Sequence, residues 1–263
     1  MNEVPERILR FERCFNFRDL GGYIGRDRRP VRWRRLFRSS TPEYMTEADA
    51  VAVASLNLGL VIDFRGERFP TSGPVTGSNG ARLTLAPPSV RRDDPEYERY
   101  RVAPPSEALP EVLERYGFQF AAALSAMAQH PDANILFHCR LGKDRTGVFA
   151  ALVLKVLGVS DDDVLQDYRL TTGQEPFCRA VLQEYDDDEE APSREPRVAK
   201  EPPSREAMEG VLQRLAGRYG GAHAYFARYG VPEALIDAFV GNALEPAAGD
   251  LPRPQPSGEP VPG

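Results

Sequence analysis

The sequence predicts an α/β domain built on a mostly parallel sheet, and three observations carry that expectation. Two short apolar runs with branched side chains, LVIDFR (60–65) and NILFHC (134–139), read as buried strands. Segments of helical periodicity alternate with them, the pattern of strand–helix–strand units. The run TGVFAALVLKVLG (146–158) is apolar on nearly every face, so its helix should be buried between the sheet and its neighbours.

In chain order, residues 14–24 (CFNFRDLGGYI) form a short extended stretch with a turn at Gly21-Gly22. Residues 32–40 (RWRRLFRSS) form a strand ending in small polar residues. A helix follows over 46–59, with Thr46 as its cap, Asp49 at capping-box spacing and Gly59 to close it. After the strand at 60–65, the Gly-, Ser-, Thr- and Pro-containing residues 66–80 form a loop, and ARLTLAP (81–87) a further strand. Residues 87–109, rich in Pro, Arg, Asp and Tyr, form an irregular or partly helical excursion, and 110–129 a helix that ends before Pro131. Ser160 and Asp163 open another helix at capping-box spacing, with acids in its first turn. Residues 184–206 are charged and proline-rich and read as a solvated insertion. Residues 207–244 read as three short helices broken at Gly220-Gly221 and Gly230. The proline-rich tail, 245–263, is expected to be disordered. This gives one domain over 1–244, with 159–244 as helical cover.

The chain has 263 residues, 41% of them hydrophobic, enough for a real core. A net charge of −6 argues against general nucleic-acid binding. No apolar run approaches the roughly 20 residues of a membrane span. The N-terminus lacks the apolar stretch of a secretory signal, so the expected location is cytoplasmic. Cys14, Cys139 and Cys178 are widely spaced, without metal-like pairing, and read as free thiols. Cys14 and Cys178 are spectators in this reading.

The stretch HCRLGKDRTG (138–147) follows the strand at 134–139 and precedes the apolar helix. A helix N-terminus offers unpaired N–H groups and partial positive charge. The loop before it can curl its own N–H groups into an anion nest. Gly142 and Gly147 ease that path, and Arg145 can grip two phosphate oxygens with one planar fork. Cys139 then lies beneath the phosphorus, in a setting that favours thiolate over thiol. Thr146 is placed to donate a hydroxyl hydrogen bond to the sulfur. In α/β sheets ligands bind beyond the carboxyl ends of the strands, where both Cys139 and Asp63 fall. A structural cysteine ending a buried strand is the plain alternative, but Arg, Lys and Gly at these offsets are poor core material. A nucleotide-binding G-x-x-x-x-G-K-[ST] loop fails on spacing, because Phe137 and Asp144 stand where Gly and Ser or Thr are required.

The loop resembles the C-x5-R-[ST] signature of cysteine-dependent protein tyrosine phosphatases. With NFRDLGGY (16–23), LFRSS (36–40), VIDFR (61–65) and DYRLT (167–171), it is similar to the bacterial tyrosine/serine branch that carries HCxxGKDRTG. That branch includes secreted phosphatases with phosphoinositide activity. The resemblance implies a phosphatase-type α/β fold and a two-step, metal-free hydrolysis without cofactor. Cys139 would attack phosphorus, Arg145 would stabilise the transition-state charge, and Thr146 would help the sulfur leave. Arg140, Leu141, Gly142 and Lys143 would line the phosphate cradle. The only tryptophan is Trp33, in RWRRL, so the Trp-Pro-Asp acid motif of many relatives is missing. In the branch that the loop resembles, the aspartate inside the loop, matched here by Asp144, is the favoured acid, with Asp63 in reserve.

Lys143 resembles the loop lysine of lipid-type phosphatases and suggests phosphoinositide as well as phosphoprotein substrates; a generic cation is the alternative. Asp63 and Arg65 would contact substrate or brace the loop. Asn16, Arg18 and Asp19 are read as turn and packing residues. The acidic insertion departs from the compact helical lid of relatives, and export without a classical signal is known among them. Two other functions compete. A phosphate-binding pseudophosphatase would not need the intact Cys139, Asp144, Arg145 and Thr146. A sulfur-transfer protein would normally lack the GKDRTG ending.

Overall fold

The computed structural model describes residues 6–65, 81–85, 99–100, 102–174 and 202–247. Period-two burial dictates how its strands pack. In β3 (Leu58–Asp63), Leu60 and Ile62 join one apolar cluster and Val61 another, and a register shift between Leu58 and Leu60 turns Leu58 to the Val61 side. In β5 (Asn134–His138), Ile135 and Phe137 face the first cluster and Leu136 the second. Both faces are therefore covered, as buried parallel strands require.

Among the described residues the sheet has five strands in the order β1-β2-β5-β3-β4, completed by β1 (Arg18–Asp19), β2 (Leu36–Ser39) and β4 (Ala81–Thr84). Only the β1–β2 pairing is antiparallel. One face carries α1 (Glu47–Ala54), through Val53. The other carries α2 (Pro105–Arg115), α3 (Gly117–Gln129) and the central α4 (Asp144–Val156). Four phenylalanines join sheet to helices there: Phe149 of α4 lies 5.1 Å from Phe64, 5.4 Å from Phe120 and 5.0 Å from Phe137 between ring centroids. Beyond them lie α5 (Asp161–Arg169), α6 (Arg205–Tyr219), α7 (Ala222–Arg228) and α8 (Glu233–Ala243).

Local chemistry explains most boundaries. Thr46 and Asp49 form the expected reciprocal capping box of α1. At α5 the Ser160 side chain accepts from the Asp163 N–H, while its hydroxyl donates to the Asp163 carboxylate. α4 is apolar all round as expected, and all its residues from Thr146 to Leu154 are buried. α6 to α8 break at the three predicted glycines, each with positive φ.

Three expectations need correction. Gly59 does not close α1, which ends at Ala54; the reversal falls on Asn57, with φ 49°. Gly59 belongs to β3, where a Cβ would sit 2.7 Å from that of Ala133. The single helix over 110–129 is two helices that meet at Tyr116, and the first starts at Pro105, within the excursion read as irregular or partly helical. Proline suits a first helical position, where no N–H partner is needed. Arg205 and Glu206, assigned to the acidic insertion, open α6, with the Ser204 side chain accepting from the Ala207 N–H. Residues 66–80, 184–201 and 248–263 lie outside the described residues.

Candidate active site

Parallel strands present their carboxyl ends along one edge, and the register fixes which residues meet there. His138 stands opposite Ser39 of β2 on one side and Asp63 of β3 on the other. Cys139 is the next residue, so the loop 139–143 rises between the ends of β2 and β3 and runs into α4. The sequence-predicted Cys139, Asp144, Arg145 and Thr146 all lie on this strand-to-helix passage.

The loop is held by its carbonyls. Arg140 O accepts from the Thr41 N–H at 2.9 Å. The Asn16 amide donates to Gly142 O at 2.9 Å and to Leu141 O at 3.4 Å. The Arg38 guanidinium donates to the same Gly142 carbonyl at 2.9 Å. In a planar trans peptide the N–H points opposite to the C=O. With the carbonyls of 140, 141 and 142 drawn outward, the N–H groups of Leu141, Gly142 and Lys143 face the other side of the loop, as an anion nest requires. Gly142 makes this path possible: its φ is +66°, and a Cβ there would sit 2.3 Å from Ser39 O.

Behind the loop lies a charged cluster that sequence reasoning missed. Asp167 of α5 is buried and takes a hydrogen bond from Arg38 at 2.5 Å and another from Arg18 at 2.9 Å. Arg18 also donates to Asp167 O at 2.9 Å and to the Asn16 side-chain oxygen. Burial alone would raise the Asp167 pKa, but Arg18 and Arg38 outweigh it and hold the carboxyl below its usual range. Arg38 is pushed down to about 10, by burial first and by Arg18 second, against Asp167 and Cys139. It stays cationic at neutral pH. The turn-and-packing reading of Asn16 and Arg18 is thereby corrected: both brace the loop. Asp19 keeps that role, accepting from the N–H groups of Gly21 and Arg34. A signal for Arg38 was present in LFRSS, since an arginine inside an apolar strand must find a buried partner.

In front lies Asp63. Its carboxylate takes Arg65 at 2.9 Å and Arg82 at 2.9 Å, with His138 Nδ1 3.8 Å away. Arg65 is fixed from its other end by Glu43 at 2.5 Å. Burial raises the Asp63 pKa, but His138 and Arg65 reverse this and hold it well below the usual carboxylate range. That is the wrong protonation state for an acid, and both Asp63 and Arg65 are buried and engaged. The bracing role fits them better than substrate contact. They present the intervening Phe64 carbonyl, which accepts from the Arg145 guanidinium at 2.7 Å. His138 is pushed down to about 4, chiefly by burial, and is neutral.

At the loop itself, Cys139 is buried. Burial works against the charge of Arg145, yet Tyr116, Cys139, Tyr100 and Asp144 outweigh it and keep the guanidinium firmly protonated. The Thr146 hydroxyl is buried and has no hydrogen-bond partner among the described residues. The Lys143 side chain is buried, with Nζ 3.9 Å from the Asp144 carboxylate. Asp144 is the first residue of α4; its side chain is 13% exposed, with Oδ1 buried. Leu141 packs against Phe15 and Tyr44.

Comparison with known proteins agrees with this geometry. A family model described as the tyrosine phosphatase family matches residues 9–245. A Cupriavidus necator protein assigned as a tyrosine-protein phosphatase is 35% identical over 178 residues, 61% of this chain and 61% of its own length. This chain thus spans less than two thirds of that relative. A tyrosine-protein phosphatase of Nostoc commune is 28% identical over 201 residues, 73% of this chain and 68% of the relative. The triple specificity protein phosphatase PtpB of Mycobacterium tuberculosis is 25% identical over 276 residues, 88% of this chain and 97% of the relative. The family match runs from before the Asn16 brace to beyond α8, with the cysteine loop at its centre, and this chain belongs to the tyrosine phosphatase family.

Proposed function

We propose that this chain hydrolyses phosphate monoesters through a cysteinyl-phosphate on Cys139. The observation that carries the reading is the loop after the buried Cys139, whose carbonyls at 140, 141 and 142 are held outward so that the N–H groups of 141, 142 and 143 face the other side, with Arg145 held at its edge. In the first step the Cys139 thiolate attacks phosphorus, and the P–O bond to the leaving group breaks. The leaving oxygen takes the proton of the Asp144 carboxyl. In the second step Asp144, now a carboxylate, accepts a proton from the attacking water. The P–S bond breaks, and the Thr146 hydroxyl stabilises the departing thiolate. Arg145 and the loop N–H groups hold the equatorial oxygens in both transition states.

Phosphotyrosine is the first substrate class in this reading, supported by relatives named as tyrosine phosphatases. Phosphoserine, phosphothreonine and phosphoinositide follow from the Lys143 resemblance and the triple-specificity relative. In this reading the phosphatase domain spans 1–244; Glu245, assigned to the tail, still donates its N–H to Pro30 O at 2.8 Å and accepts from Arg29 at 2.6 Å. The assigned location is cytoplasmic. No helix among the described residues is long and apolar enough to cross a membrane.

The test is p-nitrophenyl phosphate turnover with chelator present and the phosphoenzyme trapped by acid quench. Wild type is expected to turn over and to yield phosphocysteine at Cys139, and Cys139→Ser to yield neither. Turnover that survives in Cys139→Ser would overturn the reading; binding of substrate without turnover by wild type would favour the pseudophosphatase. Asp144→Asn should slow hydrolysis most for aryl phosphates with poor leaving groups. Equal losses for good and poor leaving groups would remove Asp144 from the acid role.

A further inference from the structure

Between α2 and α6 lies a polar cavity of about 570 Å³, lined by Arg99, Glu111, Glu114, Arg115, Arg214 and Arg218. Four guanidiniums face two carboxylates among the described residues, so the lining carries a surplus of two positive charges. Each carboxylate is shared. Glu111 takes Arg99 at 2.8 Å and Arg115 at 3.4 Å. Glu114 takes Arg214 at 3.3 Å and Arg218 at 3.5 Å. The ion pairs of Arg99, Arg214 and Arg218 with these carboxylates each engage one terminal nitrogen, while a guanidinium carries five N–H donors. The walls are therefore ordered by their own ion pairs, and the guanidiniums of Arg99, Arg214 and Arg218 carry more N–H donors than these pairs use. The rim is accessible: the Arg99 and Arg218 side chains are 60% and 58% exposed.

The cavity adjoins the catalytic loop. Arg115 lies over the Tyr100 ring at 4.4 Å, and the next residue, Tyr116, lies 5.8 Å from the Arg145 guanidinium. Tyr100 in turn lies within electrostatic reach of Asp144 and Arg145. One layer of tyrosine separates the two cationic regions. A compact, multiply charged group fits such a cavity better than an extended peptide, which would need apolar side-chain pockets that this lining lacks.

We propose that the α2–α6 cavity is an anion subsite for a phosphoryl group other than the one being hydrolysed. Resting on the phosphatase reading, the subsite would select small substrates that carry two or more phosphates. The second phosphate sits among Arg115, Arg214 and Arg218 while the first occupies the loop. The same chemistry could be met by a free phosphate compound, and the experiment separates the two sources.

The test compares wild type with the double variant R214Q/R218Q, whose residues lie outside the catalytic loop. Activity is read on p-nitrophenyl phosphate and on short-chain phosphatidylinositol mono- and bisphosphates below their micellar range. The variant should leave p-nitrophenyl phosphate and monophosphate kinetics unchanged and raise KM for the bisphosphate about tenfold. Binding of the bisphosphate and of pyrophosphate is read in parallel by calorimetry on the full chain. Weaker binding of both in the variant assigns the subsite to free as well as tethered phosphate; weaker binding of the bisphosphate alone assigns it to tethered phosphate. An unchanged KM and unchanged affinity in a variant with wild-type melting temperature would overturn the subsite and leave the phosphatase reading standing. Absence of turnover by wild type would sink the phosphatase reading instead, and the calorimetry would still decide whether the cavity takes anions.

Discussion

Two buried aspartates grip the same loop from opposite sides, and they do it differently. Asp63 sits at the end of β3 and holds Arg65 only two residues away, with Arg82 and Glu43 completing a cluster whose outer members are partly exposed. Asp167 sits on α5 and holds Arg38 and Arg18, which precede it by 129 and 149 residues and are closed off from solvent. The front cluster presents one carbonyl, that of Phe64, to Arg145. The rear cluster grips the carbonyl of Gly142 and so shapes the nest itself. A local pair can tune a side chain cheaply, whereas shaping a backbone turn takes groups delivered by several elements at once.

The largest expected break in this comparison is Asp167→Asn. It leaves two guanidiniums buried without a counter-charge, which typically costs about 3–5 kcal/mol. Urea unfolding should show that loss, together with reduced turnover as Arg38 releases Gly142. A loss below about 1 kcal/mol would mean that Arg18 and Arg38 have solvent access after all.

Gly142→Ala strains the same point from the backbone side, because both the positive φ and the Ser39 carbonyl oppose a Cβ. Displacing the loop by about 1 Å should lower kcat roughly a hundredfold. A stopped-flow assay showing turnover near wild type would refute the claim that the rear wall dictates loop shape.

Asp63→Asn should cost less, about 1–3 kcal/mol, since Glu43 still holds Arg65 and Arg82 can turn to solvent. Stability losses equal to those of Asp167→Asn would erase the distinction between the two clusters.

The gentlest probe is pH. Asp63 and Asp167 both titrate below their ordinary value of 3.8 in the folded protein. The stability they contribute is complete above that value and is lost as pH falls through the lowered folded values. His138 acts in a different window. Buried, it resists protonation down to about 4, while the unfolded chain takes the proton near 6.5. Stability should therefore already decline between about pH 6.5 and 4. His223, lowered by burial and by Arg26, adds to the same limb. Urea midpoints measured across that range should decline less steeply in His138→Gln than in wild type; identical slopes would mean that His138 is not the buried neutral group described above.

Interactions between residues close in sequence are legible in the linear pattern. Thr46 and Asp49 fix the start of α1 because a capping box closes within one turn. The strand, loop and helix around Cys139 follow from a short apolar run, a glycine-bearing cationic turn and an all-apolar helix, which is local information again. The Asp63–Arg65 pair is legible for the same reason. The break at Tyr116 is not, because the apolar pattern continues through it and the second helix starts where Gly117 meets the Tyr229 ring. Nor is the true position of Gly59, whose role depends on the close approach of Ala133 from another element.

By itself, the sequence determined the α/β class and located the cysteine turn that we propose binds phosphate, with Cys139 as its proposed nucleophile, since each is a matter of spacing along a few residues. Only the tertiary structure decided that Asn16, Arg18, Arg38 and Asp167 support that turn, and that α2 and α6 flank an open cavity lined by four arginines and two glutamates. A buried charge is tolerable only where its counter-charge arrives, and nothing in a linear pattern says which distant arginine will meet which aspartate. That choice is made when the parallel register of β2, β3 and β5 and the docking of α5 bring them together.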